Sequence, residues 1–188
     1  MKSPLKVGLA GLGHLGKIHL KCLMQVSEIE VVGCYDTDGS AGEELLREQG
    51  VRRFHNISEL ISHCDALDIV TPTMTHFEIA QQAIRQGKHC FIEKPVTSTL
   101  KEAYAVELLQ KEFKVKIQIG HVERYNPCFV AVFPYIKNAR FIEAHRLSQF
   151  NPRGTDVSVV HDLMIHDLDL ISLIAQSEPV DIRANGVR

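Results

Sequence analysis

The sequence predicts an α/β fold, a doubly wound parallel sheet, followed by an incomplete α+β second domain. Three observations carry this. Short apolar runs alternate with amphipathic segments of helical period from Leu5 to about Gly120, the pattern of strand–helix–strand units that build a parallel sheet covered on both faces. The character changes at the polar segment Gly120-His121-Val122-Glu123-Arg124-Tyr125-Asn126-Pro127, which reads as a domain junction. Beyond it one or two predicted strands are too few to make a sheet with a stable apolar face. The predicted domains are residues 1–122 and 123–188.

Taken in order, Leu5 to Ala10 is a strand stopped by Gly11, an amphipathic helix follows Gly16, and Ile29 to Tyr35 is a second strand ending at Asp36. Gly39 to Gln49 reads as a helix ended by Gly50, and Ser58 caps a short helix before Asp65. Ala66 to Val70 is a strand stopped by Thr71-Pro72-Thr73. From Thr75, an ordinary cap residue, to Gln86 the apolar positions Phe77, Ala80, Ala83 and Ile84 recur at helical spacing, and Gly87 supplies the stop. Cys90 to Ile92 is a short buried strand, Leu100 to Phe113 an amphipathic helix, and Val115 to Ile119 a strand. In the second domain a helix runs from Pro127 to Lys137, disturbed at Pro134. Phe141 to Leu147 then reads as a strand, Ser148 to Asp156 as a loop, Val159 to Ala175 as a helix and Val180 to Val187 as a further strand.

A chain of 188 residues holds one full domain and part of another. A hydrophobic content of 45% and a formal net charge of -2 allow a core and imply no field for binding nucleic acid. Cys22, Cys34, Cys64, Cys90 and Cys128 are scattered and odd in number, which argues against a disulfide framework or structural zinc and for free thiols in a reducing cytoplasm. No apolar leader precedes the first strand and no window approaches ~18 uninterrupted apolar residues. The expectation is a soluble cytoplasmic protein.

The chemistry begins at Gly11-Leu12-Gly13-His14-Leu15-Gly16, between a strand and a helix, with Asp36 closing the next strand. Gly11 permits the turn, Gly13 lets a pyrophosphate approach the backbone, and Gly16 lets helix and sheet pack, the fingerprint of a Rossmann dinucleotide site. Phosphates would rest on the helix N-terminus, on the amides of this loop including His14 and Leu15. Asp36 would accept the ribose hydroxyls and repel a 2′-phosphate, favouring NAD over NADP; the plainer reading is a turn-forming Asp in Asp36-Thr37-Asp38-Gly39. Thr71-Pro72-Thr73 with His76 lies past a central strand, where open α/β sheets bind ligands, although Thr-Pro is also an ordinary turn. Glu93-Lys94-Pro95 ends the next strand on the same edge, and a lysine there can donate to a substrate hydroxyl and stabilise an alkoxide.

In His161-Asp162-Leu163-Met164-Ile165-His166-Asp167, Asp162 and His166 are one helical turn apart, with Asp169 near His166 on the next turn. Three readings are open. An imidazole oriented by a carboxylate is suited to proton exchange near neutral pH; His161, Asp162, His166 and His145 could ligate a metal, but the spacing matches no common zinc pattern; or the polar face is simply solvated. No metal is expected.

With Gly11 to Gly16 and His19, Asp36, Thr71-Pro72-Thr73 and His76, Glu93-Lys94-Pro95, Arg124-Tyr125-Asn126-Pro127, and Asp162 with His166 in this order, the chain resembles the glucose-fructose oxidoreductase, inositol dehydrogenase and MocA (Gfo/Idh/MocA) family. Val122 to Pro127 and Asp162 to Asp167 look most like its branch acting on nucleotide sugars such as UDP-N-acetylglucosamine, at the 3-hydroxyl. The resemblance implies NAD-dependent oxidation of a secondary hydroxyl of a sugar or nucleotide sugar, with Lys94 and His166 as catalytic residues and Asp162 as their neighbour. It also implies Gly11, Gly13, His14, Leu15, Gly16, Asp36, Thr71, Pro72, Thr73, His76, Glu93 and Lys94 as the cofactor site, and Arg124, Tyr125, Asn126 and His166 as substrate contacts. Family members carry a larger second domain, so the chain is expected to be C-terminally truncated, with homo-oligomers expected of the intact protein. Two other readings remain: an NAD-binding module without turnover, and a reductase of the same fold acting on a non-sugar carbonyl or imine.

Overall fold

The computed structural model describes residues 3–136, 139–147 and 158–186. Strands β1 (Leu5–Ala10), β2 (Ile29–Tyr35), β3 (Arg53–Phe54), β4 (Ala66–Ile69), β5 (His89–Ile92) and β6 (Ile117–Ile119) alternate with helices α1 (His14–Leu23), α2 (Glu43–Gln49), α3 (Ile57–His63), α4 (Thr73–Arg85) and α5 (Leu100–Phe113). All strand pairs are parallel, and the sheet order is β3-β2-β1-β4-β5-β6. The chain winds outward from β1, returns to lay β4 on its other side, and winds outward again. A crevice therefore opens between the connections that leave β1 and β4 in opposite directions, at the C-terminal ends of those strands.

Because successive strand residues face opposite sides, Ala10 joins Leu67, Ile69 and Ile92 in a core roofed by α3, α4 and α5. Its neighbour Leu9 joins Leu12, Leu20, Cys34 and Leu46 under α1 and α2. Each fully buried Leu or Ile contributes about 1.5–3 kcal/mol, so both faces are needed to hold the sheet.

Local chemistry sets the element ends and explains where they differ from expectation. The helix expected from Gly39 begins at Glu43, because Asp38 Oδ1 accepts the Ser40 amide at 2.9 Å and its hydroxyl at 2.7 Å, an Asx turn that competes with helix. Asn56, not Ser58, caps α3: its side chain accepts the Ser58 amide at 2.8 Å. Helix α4 starts at Thr73, with Pro72 at the N-cap, so Thr75 lies inside the first turn. Helix α5 matches its expected span and is held by a reciprocal capping box between Thr99 and Glu102. Strand β3, two residues long, has no sequence signal of its own. Strand β6 is shorter than Val115 to Ile119 because pairing with β5 starts at Cys90 and Ile117.

By main-chain proximity the chain divides into two compact units, Met1–Gly120 and His121–Arg188. In the second, Asn126 caps α6 (Pro127–Val132) by accepting the Cys128 amide at 3.0 Å, and the helix gives way to a 3₁₀ turn at Phe133–Tyr135, around Pro134. The run expected to reach Lys137 is thus cut short, and Lys137 itself lies outside the described residues. Phe141 to Leu147 is not a strand, nor are residues 180–186, since neither has a ladder partner among the described residues. Ser148 to Asp156 and Val187 lie outside the described residues. The helix predicted from Val159 is present, but Val160–Met164 is π-wound before α7 (Ile165–Ala175). No described residue beyond Gly120 is buried. Among the described residues no helix is long and apolar enough to cross a membrane.

The turn from β1 into α1 leaves no room for a side chain at Gly11 or Gly16. Gly11 has φ +99°, and a Cβ on Gly16 would overlap the Gly11 carbonyl oxygen. Gly16→Ala should therefore destabilise the chain by about 1–3 kcal/mol, read as a lower urea midpoint. Gly39→Ala, where a Cβ meets nothing within 4 Å, should stay within about 0.5 kcal/mol; equal midpoints for the two variants would refute the packing argument.

Candidate functional site

At the C-terminal ends of β1, β2 and β4 a cleft of about 430 Å³ is lined by Gly11, Gly13, Tyr35, Asp36, Thr37, Ile57, Val70, Thr71, Pro72, Thr75, Glu78, Ile79 and Gln82. The N-cap of α1 is Gly13, no side chain caps it, and no acid lies in its first turn. Its leading amides and the positive end of its dipole are left for an anion. Gly13, His14 and Leu15 are exposed there while Gly16 is buried. The Asp36 carboxylate is pinned by the loop itself: Oδ2 accepts the Leu12 amide at 2.6 Å and Oδ1 the Asp38 amide at 2.8 Å. A carboxylate has about four lone-pair sites, so acceptor capacity remains on the cleft wall.

Two imidazoles hold the neighbouring corner. His76 is buried, with Nδ1 3.0 Å from the Pro95 carbonyl and Nε2 2.8 Å from the Thr71 carbonyl, so it staples the Thr71-Pro72-Thr73 turn to Glu93-Lys94-Pro95. His19 stands on α1 over a row of strand residues in register, Leu9, Asp68 and Phe91. Its Nδ1 is 2.9 Å from Asp68 Oδ2 and its Nε2 3.3 Å from Glu93 Oε1, while its ring meets Phe91 edge-on at 5.8 Å. Glu93 Oε2 also accepts the Lys94 amide at 3.1 Å. A Cβ on Gly120 would lie 2.5 Å from Glu93 Oε1. Burial disfavours charge on His19, but its hydrogen bonds to Asp68 and Glu93 and their charges outweigh this and push the imidazole up to about 10. Burial pushes the Asp68 carboxyl upward against the pull of His19.

In the second unit Arg124 holds Asp169 bidentately, at 2.8 Å through Nε and 2.5 Å through Nη2, and His121 Nδ1 is 3.7 Å from the same carboxylate. Burial opposes ionisation of Asp169, but Arg124 together with His121 and His166 keeps its carboxyl below the usual range. Arg146 pairs with Asp167 at 2.8 Å through both Nε and Nη2. Asp162 sits in the π-wound turn and His166 at the start of α7, both half-buried, while Tyr125 is exposed. Among the described residues no cluster of His, Cys, Asp and Glu could hold a metal.

Gly11, Gly13, Asp36, Thr71 and Pro72 thus meet on one cleft, His76, Glu93 and Lys94 share the adjacent corner, and Arg124, Tyr125, Asn126, Asp162 and His166 belong to the second unit. Tyr35, Thr37, Ile57, Glu78 and Gln82 of the cleft wall belong to no motif. Neither does Asp68, although an Asp between Leu67 and Ile69 in an apolar strand signals a buried carboxylate needing a partner.

The raised His19 pKa makes stability depend on pH. The charged imidazole stabilises the fold fully below its unfolded value of 6.5 and ceases to do so as pH rises through about 10. Buried Cys34 and Cys90, pushed up to about 12 from 9.0, erode stability only above about pH 9. Between pH 7 and 8.5 the melting temperature should fall with a slope matching release of one proton on unfolding, and His19→Gln should flatten it. A slope unchanged by that substitution would contradict the assignment.

Residues 5–121 match the family described as "Oxidoreductase family, NAD-binding Rossmann fold". The chain is 39% identical over 188 residues to a UDP-N-acetylglucosamine 3-dehydrogenase of Acidithiobacillus ferrooxidans, an alignment covering 97% of this chain and 58% of that protein. A solved structure of the A. ferrooxidans enzyme superposes with TM-score 0.92 at 38% identity, over 100% of this chain and 62% of that one. An inositol 2-dehydrogenase of Rhizobium meliloti is 28% identical over 97% of this chain and 58% of its own length. The chain thus spans somewhat under two thirds of the length of these relatives. The fingerprint, the switch-point cleft and the extent of these matches make the chain a member of the Gfo/Idh/MocA oxidoreductase family, built on that family's NAD-binding Rossmann fold.

Proposed function

We propose that the protein oxidises a secondary hydroxyl of a sugar or nucleotide sugar with NAD as hydride acceptor, acting in the cytoplasm as a homo-oligomer. The observation that carries this is the position of Lys94, two residues past β5 on the strand edge that also forms the cleft. The names of the relatives support the substrate class, the nucleotide sugar above all. Unpaired cysteines support a reducing compartment.

The residues of the cleft fit the dinucleotide. Open space at Gly13 and the uncapped α1 N-terminus suit a pyrophosphate, and Asp36 suits a ribose diol while opposing a 2′-phosphate. Bound there, NAD supplies the hydride acceptor. Lys94 donates a hydrogen bond to the substrate oxygen and stabilises negative charge developing on it. His166 takes up the hydroxyl proton, and Asp162 orients it. Variants at the two positions assign the base. Arg124, Tyr125 and Asn126 contact the substrate in this reading, with Arg124 already committed to Asp169 and therefore held rigidly.

The chain should bind NADH more tightly than NADPH by titration calorimetry, and Asp36→Ser should narrow the difference; equal affinities for the unmutated chain would defeat the NAD assignment. In protein of the relatives' full length, a panel of sugars and nucleotide sugars should reveal NAD reduction. Lys94→Ala and His166→Ala should each lower kcat by about 10²–10⁴ while cofactor affinity stays within a few fold. Asp162→Asn should do less harm, and near-normal turnover in both alanine variants would remove these residues from the chemistry.

A further inference from the structure

We propose that His19 is the positioning residue for Lys94: a half-buried imidazolium hung between Asp68 and Glu93 that ties the helix of the pyrophosphate loop to the corner carrying the catalytic lysine. The inference rests on the reading of Lys94 given above and adds a role for three residues outside the cleft wall.

The geometry is that of a single strut. Asp68 is rigid, in the middle of β4 and only 4% exposed, and its Oδ1 is buried with no hydrogen-bond partner among the described residues. Its other oxygen meets His19 Nδ1, and His19 Nε2 meets Glu93. Both ring nitrogens face carboxylates, and only the doubly protonated ring donates to both. Asp68 from β4 and Glu93 from the end of β5 are the charged groups that set its state. Glu93 is in turn locked from two sides, by the Lys94 amide on Oε2 and by the bare Cα of Gly120 against its carboxylate. The backbone of Lys94 therefore inherits its place from a side chain of α1, the helix whose N-terminus opens on the cleft.

A charged network anchored on a buried carboxylate is poor material for stability alone, since well-packed apolar residues of similar volume hold a fold as well or better. What it adds is direction. Rotating or shifting α1 moves His19, and the carboxylate hydrogen bonds transmit that shift to the corner at Glu93. A merely structural cluster would fill space without fixing where Lys94 begins.

The test uses the 188-residue chain and nuclear magnetic resonance. In long-range ¹H–¹⁵N spectra the His19 ring, identified by its loss in His19→Gln, should carry protons on both nitrogens at pH 8.5, where an ordinary imidazole is neutral. A neutral tautomer at that pH overturns the proposal. The Lys94 Cε–Hε signal, identified with Lys94→Gln, should move in His19→Gln and return towards its place in His19→Gln/Asp68→Asn, where charge balance is restored, with NADH affinity changed by only a few fold. An unmoved Lys94 signal accompanied only by a lower melting temperature overturns it as well. If His19→Gln does not fold, Asp68→Asn, which keeps the Glu93 contact, must still move the Lys94 signal for the proposal to stand. Full turnover by Lys94→Ala in the longer protein would refute the catalytic reading, while the link from His19 to the Lys94 corner would still be judged on these signals alone.

Discussion

The approach of α1 to β1 at Gly11 and Gly16 governs the rest of the first unit. No side chain fits between the helix and the turn that launches it, so the helix axis lies closer to the sheet than any larger residue would allow. That closeness seats Leu20 in the core beside Leu9, aims the uncapped helix end at the crevice, and brings His19 within hydrogen-bond distance of a strand aspartate. Electrostatic attraction of an anion to a helix end falls off within the first turn, so a displacement of an ångström or two would weaken it even with every amide intact.

The polar contacts of the sheet edge form a second layer of constraint on the same region. His76 and His19 reach the Glu93-Lys94-Pro95 corner from α4 and α1, one binding backbone carbonyls and the other carboxylates. They differ in kind. Breaking a backbone staple frees a turn, whereas removing the imidazole leaves the buried Asp68 carboxylate without its compensating charge, which is costly.

The fold was legible wherever periodicity and turn chemistry agreed. The strand Leu5 to Ala10, the strand Ile29 to Tyr35 and the helix Leu100 to Phe113 are read correctly because apolar spacing and end signals coincide. Reading failed where side chains compete with the backbone, as at Asp38 and Ser40, or where an element depends on distant partners, as with the two-residue β3 and the apolar segments Phe141 to Leu147 and Val180 onwards. Of the candidate site, the glycine loop and Asp36 stood out because their chemistry is local. Glu78, Gln82 and Ile57 reach the cleft only through the winding of the chain, and the partnership of His19 with Asp68 spans 49 positions, beyond any spacing rule.

The distribution of cysteines gives the sheet a built-in record of its own opening. Cys34 lies on β2, Cys64 at the end of α3 and Cys90 on β5, all buried, while Cys22 and Cys128 are exposed. Only a thiolate reacts at useful rates, and burial pushes the three inner thiols away from that form. Alkylating reagents therefore see two sites in the folded chain and five in the unfolded one. Since Cys34 and Cys90 lie on β2 and β5, on either side of the central β1–β4 pair, and Cys64 at the end of α3, the order in which they become modified would trace which part of the fold opens first.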